Sequence, residues 1–104
     1  MLIAAYYVPD EWDEDIDRGY WEDFALEVYS YLKDRKFPLQ LIAVNSNWRG
    51  QTGYAEVNSV ADIIDKLTSF DSSYYELHKI GNSYEFRLAT HDVPTGFTIQ
   101  IRSL

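Results

Sequence analysis

The sequence predicts an α+β domain, with two helices packed on one face of a mainly antiparallel sheet in the order β-α-β-(β)-α-β-β-β. Three observations carry this expectation. Two segments place apolar residues at helical spacings of three and four. Several shorter runs either alternate with period two or are apolar throughout. The last three of these runs follow one another with no helical segment between them, as antiparallel neighbours do. The 104 residues amount to one domain, 1–104, from end to end.

Leu2 to Val8 is a continuous apolar run with β-branched and aromatic members, which reads as a strand covered on both faces and ended by Pro9. The acidic segment that follows is expected as a loop. From Tyr20 to about Lys36 the pattern is helical, beginning near Asp17 or Gly19. Trp21, Phe24, Ala25, Val28, Tyr31 and Leu32 share one face. Glu22 and Asp23 at one end and Lys33, Arg35 and Lys36 at the other suit the helix dipole, and Pro38 stops the helix. Leu39 to Asn45 predicts a second interior strand. Gly50 and Gly53 mark a turn, and Tyr54 to Val57 a short strand. Ser59 caps a second helix in a Ser-x-x-Asp pattern, with Val60, Ile63, Ile64, Leu67 and Phe70 as its apolar stripe. Tyr74 to Ile80 and Ser83 to Ala89 are strands joined by Gly81-Asn82, a two-residue hairpin signal. After a Thr90–Gly96 loop, Phe97, Ile99 and Ile101 alternate with Thr98, Gln100 and Arg102 in a last half-exposed strand.

The hydrophobic fraction of 46% is enough for one core, and with no cysteine nothing covalent staples it. The absence of cysteine suits a reducing cytoplasm and excludes a disulfide framework or a thiolate metal site. No run reaches the roughly 18 apolar residues of a membrane span, and the N-terminus lacks the pattern of a signal peptide. A cytoplasmic, unprocessed chain is the expectation. The formal net charge is −8. That argues against direct binding to nucleic acid or an anionic membrane and favours a basic protein partner or a bound cation.

This charge is local. Pro9 to Asp23 holds eight acids (Asp10, Glu11, Asp13, Glu14, Asp15, Asp17, Glu22, Asp23) against one base, Arg18, a sum of −7 within the total of −8. Trp12, Tyr20 and Trp21 are interleaved with the acids. Rings supply buried area and charge supplies steering, the two components of a recognition surface. The bland alternative is a solvated loop running into a helix with an acidic first turn. Asp13, Asp15 and Asp17 match the first three ligand positions of an EF-hand-like loop. The match then fails, with Arg18 where Gly is required and Phe24 where a bidentate Glu is required. No metal or cofactor is expected.

Carboxylates spaced along a loop and helix can imitate phosphates to a protein built to grip nucleic acid. In length and charge the chain resembles the small phage proteins that disarm CRISPR or restriction enzymes, and the immunity proteins that plug nuclease toxins. That likeness carries no residue over. It implies an inhibitor that docks on a nuclease or other nucleic-acid-binding protein. The binding residues would be Asp10, Glu11, Trp12, Asp13, Glu14, Asp15, Asp17 and Tyr20, with Trp21 facing the core. A second reading is a small enzyme or ligand binder built on two polar loops, with Trp48 and Arg49 in one and His91 and Asp92 in the other. Turn chemistry at His91 and Asp92 and core packing at Trp48 account for these residues better, and no Gly-rich phosphate loop, HExxH, CxxC or GxSxG supports an enzyme. A third reading is a homo-oligomer that pairs through the last strand, whose exposed face carries Thr98, Gln100 and Arg102. His78, beside Glu76, reads as a sheet-face residue, since two histidines thirteen apart make a poor zinc site.

Overall fold

A computed structural model describes residues 1–9, 11–45, 51–70, 72–89 and 94–103. Its elements are β1 (Leu2–Tyr7), α1 (Glu14–Leu32), β2 (Leu39–Asn45), β3 (Gln51–Val57), α2 (Val60–Thr68), β4 (Tyr74–Ile80), β5 (Ser83–Ala89) and β6 (Pro94–Ser103). The six strands form one antiparallel sheet in the order β1-β4-β5-β6-β2-β3. Both helices pack on one face, α1 over β1 and α2 over β3, and they touch each other. The class, the element order and the one-sided packing are those expected.

Strand register builds the core. A row of directly opposed residues, Ala4, Leu77, Phe86, Ile99, Ala43 and Gly53, crosses all six strands on the helix side. Its large members stand on the central strands and its small ones toward the edges. Leu77 and Phe86 are fully buried, and Ile99 is nearly so. From above, α1 inserts Phe24, Val28 and Leu32, and α2 inserts Val60, Ile63 and Leu67. The hairpin between β4 and β5 has Gly81 at φ +61°, where a side chain would be strained.

Four features differ from expectation. First, α1 begins at Glu14, not near Asp17–Tyr20, so most of the acidic stretch is helix and not loop. The cause is a reciprocal cap. The Asp13 carboxylate accepts from the Asp15 N–H at 3.0 Å, and the Asp17 carboxylate accepts from the Asp13 N–H at 2.6 Å. Glu14, Asp15 and Asp17 in the first turn meet the positive end of the helix dipole. The helix runs through Gly19 despite its poor propensity and stops at Leu32, before Lys33, Arg35 and Lys36. Replacing Asp13 with Ala is expected to cost about 1 kcal/mol, and Asp13→Asn much less, because Asn also caps. Thermal unfolding of the two variants checks this, and equal losses would contradict it.

Second, β1 is an edge strand, not one covered on both faces. Ala4 and Tyr6 are buried, whereas Leu2, Ala5 and Tyr7 are exposed. Third, β3 starts at Gln51, before the expected Tyr54. Fourth, β6 starts at Pro94 and lies between β5 and β2. Its backbone is engaged on both sides, so an oligomer could not form by adding a strand to it. In α2, Ser59 caps the Asp62 N–H as expected, but the short Asp62 side chain reaches back to the N–H of Asn58 instead of Ser59.

Candidate protein-docking surface

Two faces of the molecule carry concentrated polar chemistry, the solvent side of α1 and the open side of the sheet. On α1 the cap and the first turn account for part of the acidity. Asp13 and Asp17 hold the helix start, and Arg18 bridges Glu14 at 3.4 Å and Glu22 at 3.3 Å. These pairs are exposed and stabilise little. Among the described residues, the side-chain carboxylates of Glu11, Asp15, Asp23 and Glu27 make no hydrogen bond or ion pair, which leaves four carboxylates uncompensated.

The apolar content of the same surface is unusual. Helix α2 buries its large side chains. In contrast, α1 exposes Ile16, Tyr20, Leu26, Tyr29 and Tyr31, and Trp12 stands exposed just before it. The Trp12 indole N–H donates to Glu14 at 2.7 Å, which fixes the ring beside the helix start. Trp21 faces inward as expected, with its ring 5.1 Å from Tyr6, 5.7 Å from Phe24 and 5.6 Å from Tyr75. Large apolar groups left in water beside charges mark interaction surfaces.

Helix α1 is flanked on both sides. An apolar groove of about 480 Å³ runs between α1 and α2, along Ala25, Leu26, Tyr29 and Ile64. On the other side, a cleft of about 340 Å³ separates α1 from β1. Tyr20, Asp23 and Glu27 line this cleft at i, i+3 and i+7, one helical stripe, with Asp17 beside them and Ala5, Tyr6 and Tyr7 opposite. Tyr6 is 7% exposed, and its hydroxyl is buried without a hydrogen-bond partner among the described residues. Burial pushes the Tyr6 pKa up, and the Asp17 charge adds to the rise. An unpaired buried hydroxyl costs about 1–3 kcal/mol. Tyr6→Phe keeps the ring contacts, so it is expected to raise stability by about 1 kcal/mol. A fall in the urea midpoint would contradict that.

On the open side of the sheet, Tyr74, Glu76 and His78 stand on one face of β4. The Tyr74 hydroxyl donates to Glu76 at 2.6 Å, and His78 Nε2 lies 3.0 Å from the other Glu76 oxygen. The Tyr74 hydroxyl and then His78 hold the Glu76 carboxyl below the usual range, and the bond to Glu76 pushes Tyr74 up. Cross-strand from Glu76 is Arg87, which pairs with Glu85 at 2.8 Å. The stability Glu76 lends is therefore full above its unfolded value of about 4.3 and is lost as pH falls through its lower folded value. In Glu76→Gln the loss of stability between neutral pH and about pH 3 should be shallower than in wild type. Urea midpoints at both ends decide it, and parallel losses would contradict it. Among the described residues, no group of three or more His, Asp or Glu side chains is arranged to hold a metal ion.

Of the residues singled out in the sequence, Glu11, Trp12, Asp13, Glu14, Asp15 and Asp17 gather at the α1 start, with Tyr20 on the β1 side. Asp10, Trp48, Arg49, His91 and Asp92 lie outside the described residues. The sequence reading missed Asp23 and Glu27 as site residues, along with the edge of β1. The i, i+3, i+7 spacing of Tyr20, Asp23 and Glu27 was the available signal. The acids before Tyr20 mask it, because so dense a run of charge looks like solvated loop. No helix is long and apolar enough to cross a membrane among the described residues. No family model, no curated protein and no solved structure matches this chain, so the site stands on its own residues alone.

Proposed function

We propose that the protein is a small acidic binding protein that docks, through the start and solvent side of α1, on a basic protein that handles nucleic acid. It occupies that partner's phosphate-binding surface and so inhibits it, in the manner of the anti-CRISPR, antirestriction and toxin-immunity proteins it resembles in size and charge. The observation that carries the reading is the coincidence, on one helix, of uncompensated carboxylates with exposed rings and aliphatic groups. Carboxylates alone would be a solvated face. Exposed Ile16, Tyr20, Leu26 and Tyr29 alone would be an apolar patch. Together they provide long-range steering and a desolvated anchor. Glu11, Asp15, Asp23 and Glu27 supply the field without first breaking an internal contact. Asp13 and Asp17 keep the helix in place.

The test is capture of partners on the immobilised protein, followed by elution with a DNA duplex. The reading predicts a basic partner that the duplex displaces at low salt. A retained set that the duplex leaves in place would refute the mimicry.

A further inference from the structure

We infer that the partner contributes an extended, lysine- or arginine-bearing segment that adds as a seventh strand to the free edge of β1 and lays its cationic side chains in the cleft under α1. This deepens the docking reading above and rests on it. Four observations lead there.

The first is the open edge. Among the described residues, β1 ends the sheet and pairs with β4 alone. The Val8 N–H donates to Ser73, and Met1 and Lys79 exchange bonds at the other end. Antiparallel residues alternate between facing the partner strand and facing away. The backbone groups of Ala5 and Tyr7 therefore point away from β4, and no hydrogen bond among the described residues engages them. Exposed edges are ordinarily blunted by Lys, Pro or inward charges. Between Ala4 and Tyr7 there is none, and the only irregularity is a bulge between Leu2 and Ala4.

The second observation is the wall beside that edge. A strand added to β1 would point alternate side chains toward α1, next to Ala4 and Tyr6, and these would enter the cleft lined by Asp17, Asp23 and Glu27. Alternate strand residues are about 6.7 Å apart. Asp23 and Glu27, four residues apart on a helix, are separated by about 6 Å along its axis. Two successive cationic side chains therefore meet two successive carboxylates, neither of which has a hydrogen-bond or ion-pair partner among the described residues.

The third observation is Tyr6. Its hydroxyl is buried and unpartnered among the described residues, on a side chain that lines the same cleft near Asp17. An ammonium or guanidinium group brings the donor this oxygen lacks. The fourth is the opposite side of the new strand. There Tyr7 stacks on Tyr74 with ring centroids 4.0 Å apart, an apolar platform for the intervening side chains. A second copy of this chain is the wrong occupant. Antiparallel pairing of two β1 edges would bring two acidic α1 stripes together on one face, and like charges oppose that.

The test uses the whole protein and a blocked octapeptide of alternating lysine and valine. Amide hydrogen exchange is read residue by residue, beside binding measured by titration. The expected result is slowing of Ala5 and Tyr7 exchange by about tenfold or more on saturation. Affinity should fall about tenfold or more with the Asp23→Asn/Glu27→Gln variant, and similarly with a peptide N-methylated at alternate residues. A glutamate-valine peptide should not bind. Salt-sensitive binding with Ala5 and Tyr7 exchange unchanged, or full binding of the N-methylated peptide, would overturn strand addition and leave acidic docking standing. No binding of the lysine-valine peptide overturns the inference, and the DNA-displacement experiment then judges the docking reading separately. Protection of Ala5 and Tyr7 that grows with protein concentration in the absence of peptide would assign the edge to a second copy and overturn it too.

Discussion

Phe86→Ala is expected to lower the stability of this domain by about 3–5 kcal/mol, the usual cost of deleting a fully buried aromatic ring. Phe86 has no solvent exposure and stands between Leu77 on β4 and Ile99 on β6, the middle of the row that spans the sheet. Neither neighbour can collapse into the void without moving a central strand. A domain of this size is stable by only about 5–15 kcal/mol, so the variant should be close to unfolding. Leu26→Ala, by contrast, removes a side chain that is 65% exposed and should change stability by less than about 0.5 kcal/mol. Urea denaturation of the two variants checks the contrast. Equal losses would mean that the core does not lie between the helices and the sheet as described.

The second large effect is on binding. Replacing Trp12 and Tyr20 together by Ala should weaken capture of the partner by about 2 kcal/mol or more, roughly thirtyfold, the scale of an aromatic anchor. Both rings are exposed in the free protein and contribute no core packing, so the urea midpoint should stay nearly fixed. The loss should be similar at low and high salt, because it removes buried apolar area and not charge. A variant that binds normally would return Trp12 to a purely local role, its indole N–H held by Glu14. Trp21→Ala should behave oppositely, losing stability first, because that ring packs on Tyr6, Phe24 and Tyr75.

Much of the architecture was legible from periodicity. β4 and β5 match their expected limits because alternation and a Gly-Asn turn fix both strand and register. Helix α2 was legible because its apolar stripe and Ser cap agree, although it ends at Thr68, before Phe70 of the expected stripe. The start of α1 was not, because eight acids in fifteen residues look like a solvated loop until a cap is recognised. Asp13 and Asp17 form that cap with the backbone of each other's neighbourhood, a pairing that residue type alone does not reveal. The edge position of β1 was likewise hidden. An apolar run is the same for a central strand as for an edge strand whose outer residues are left bare, and strand order is a property of the folded sheet. The consequence for the site is direct. With α1 begun at Glu14 and β1 at the edge, Asp23 and Glu27 become the wall of a cleft instead of two more acids on a helix.

The most direct measurement is the affinity of the captured partner for the wild type and for a variant carrying Glu11→Gln, Asp15→Asn, Asp23→Asn and Glu27→Gln, each at low and high salt. These four carboxylates make no hydrogen bond or ion pair among the described residues, so the variant should keep the fold, with only a small loss of stability from Asp15 in the first turn of α1. The account predicts that wild-type affinity falls steeply with salt, and that the variant binds at least about a hundredfold more weakly at low salt with a much flatter salt dependence. Equal affinity of the two proteins at low salt would contradict it, and the acidity of α1 would then be no more than a solvated helix face.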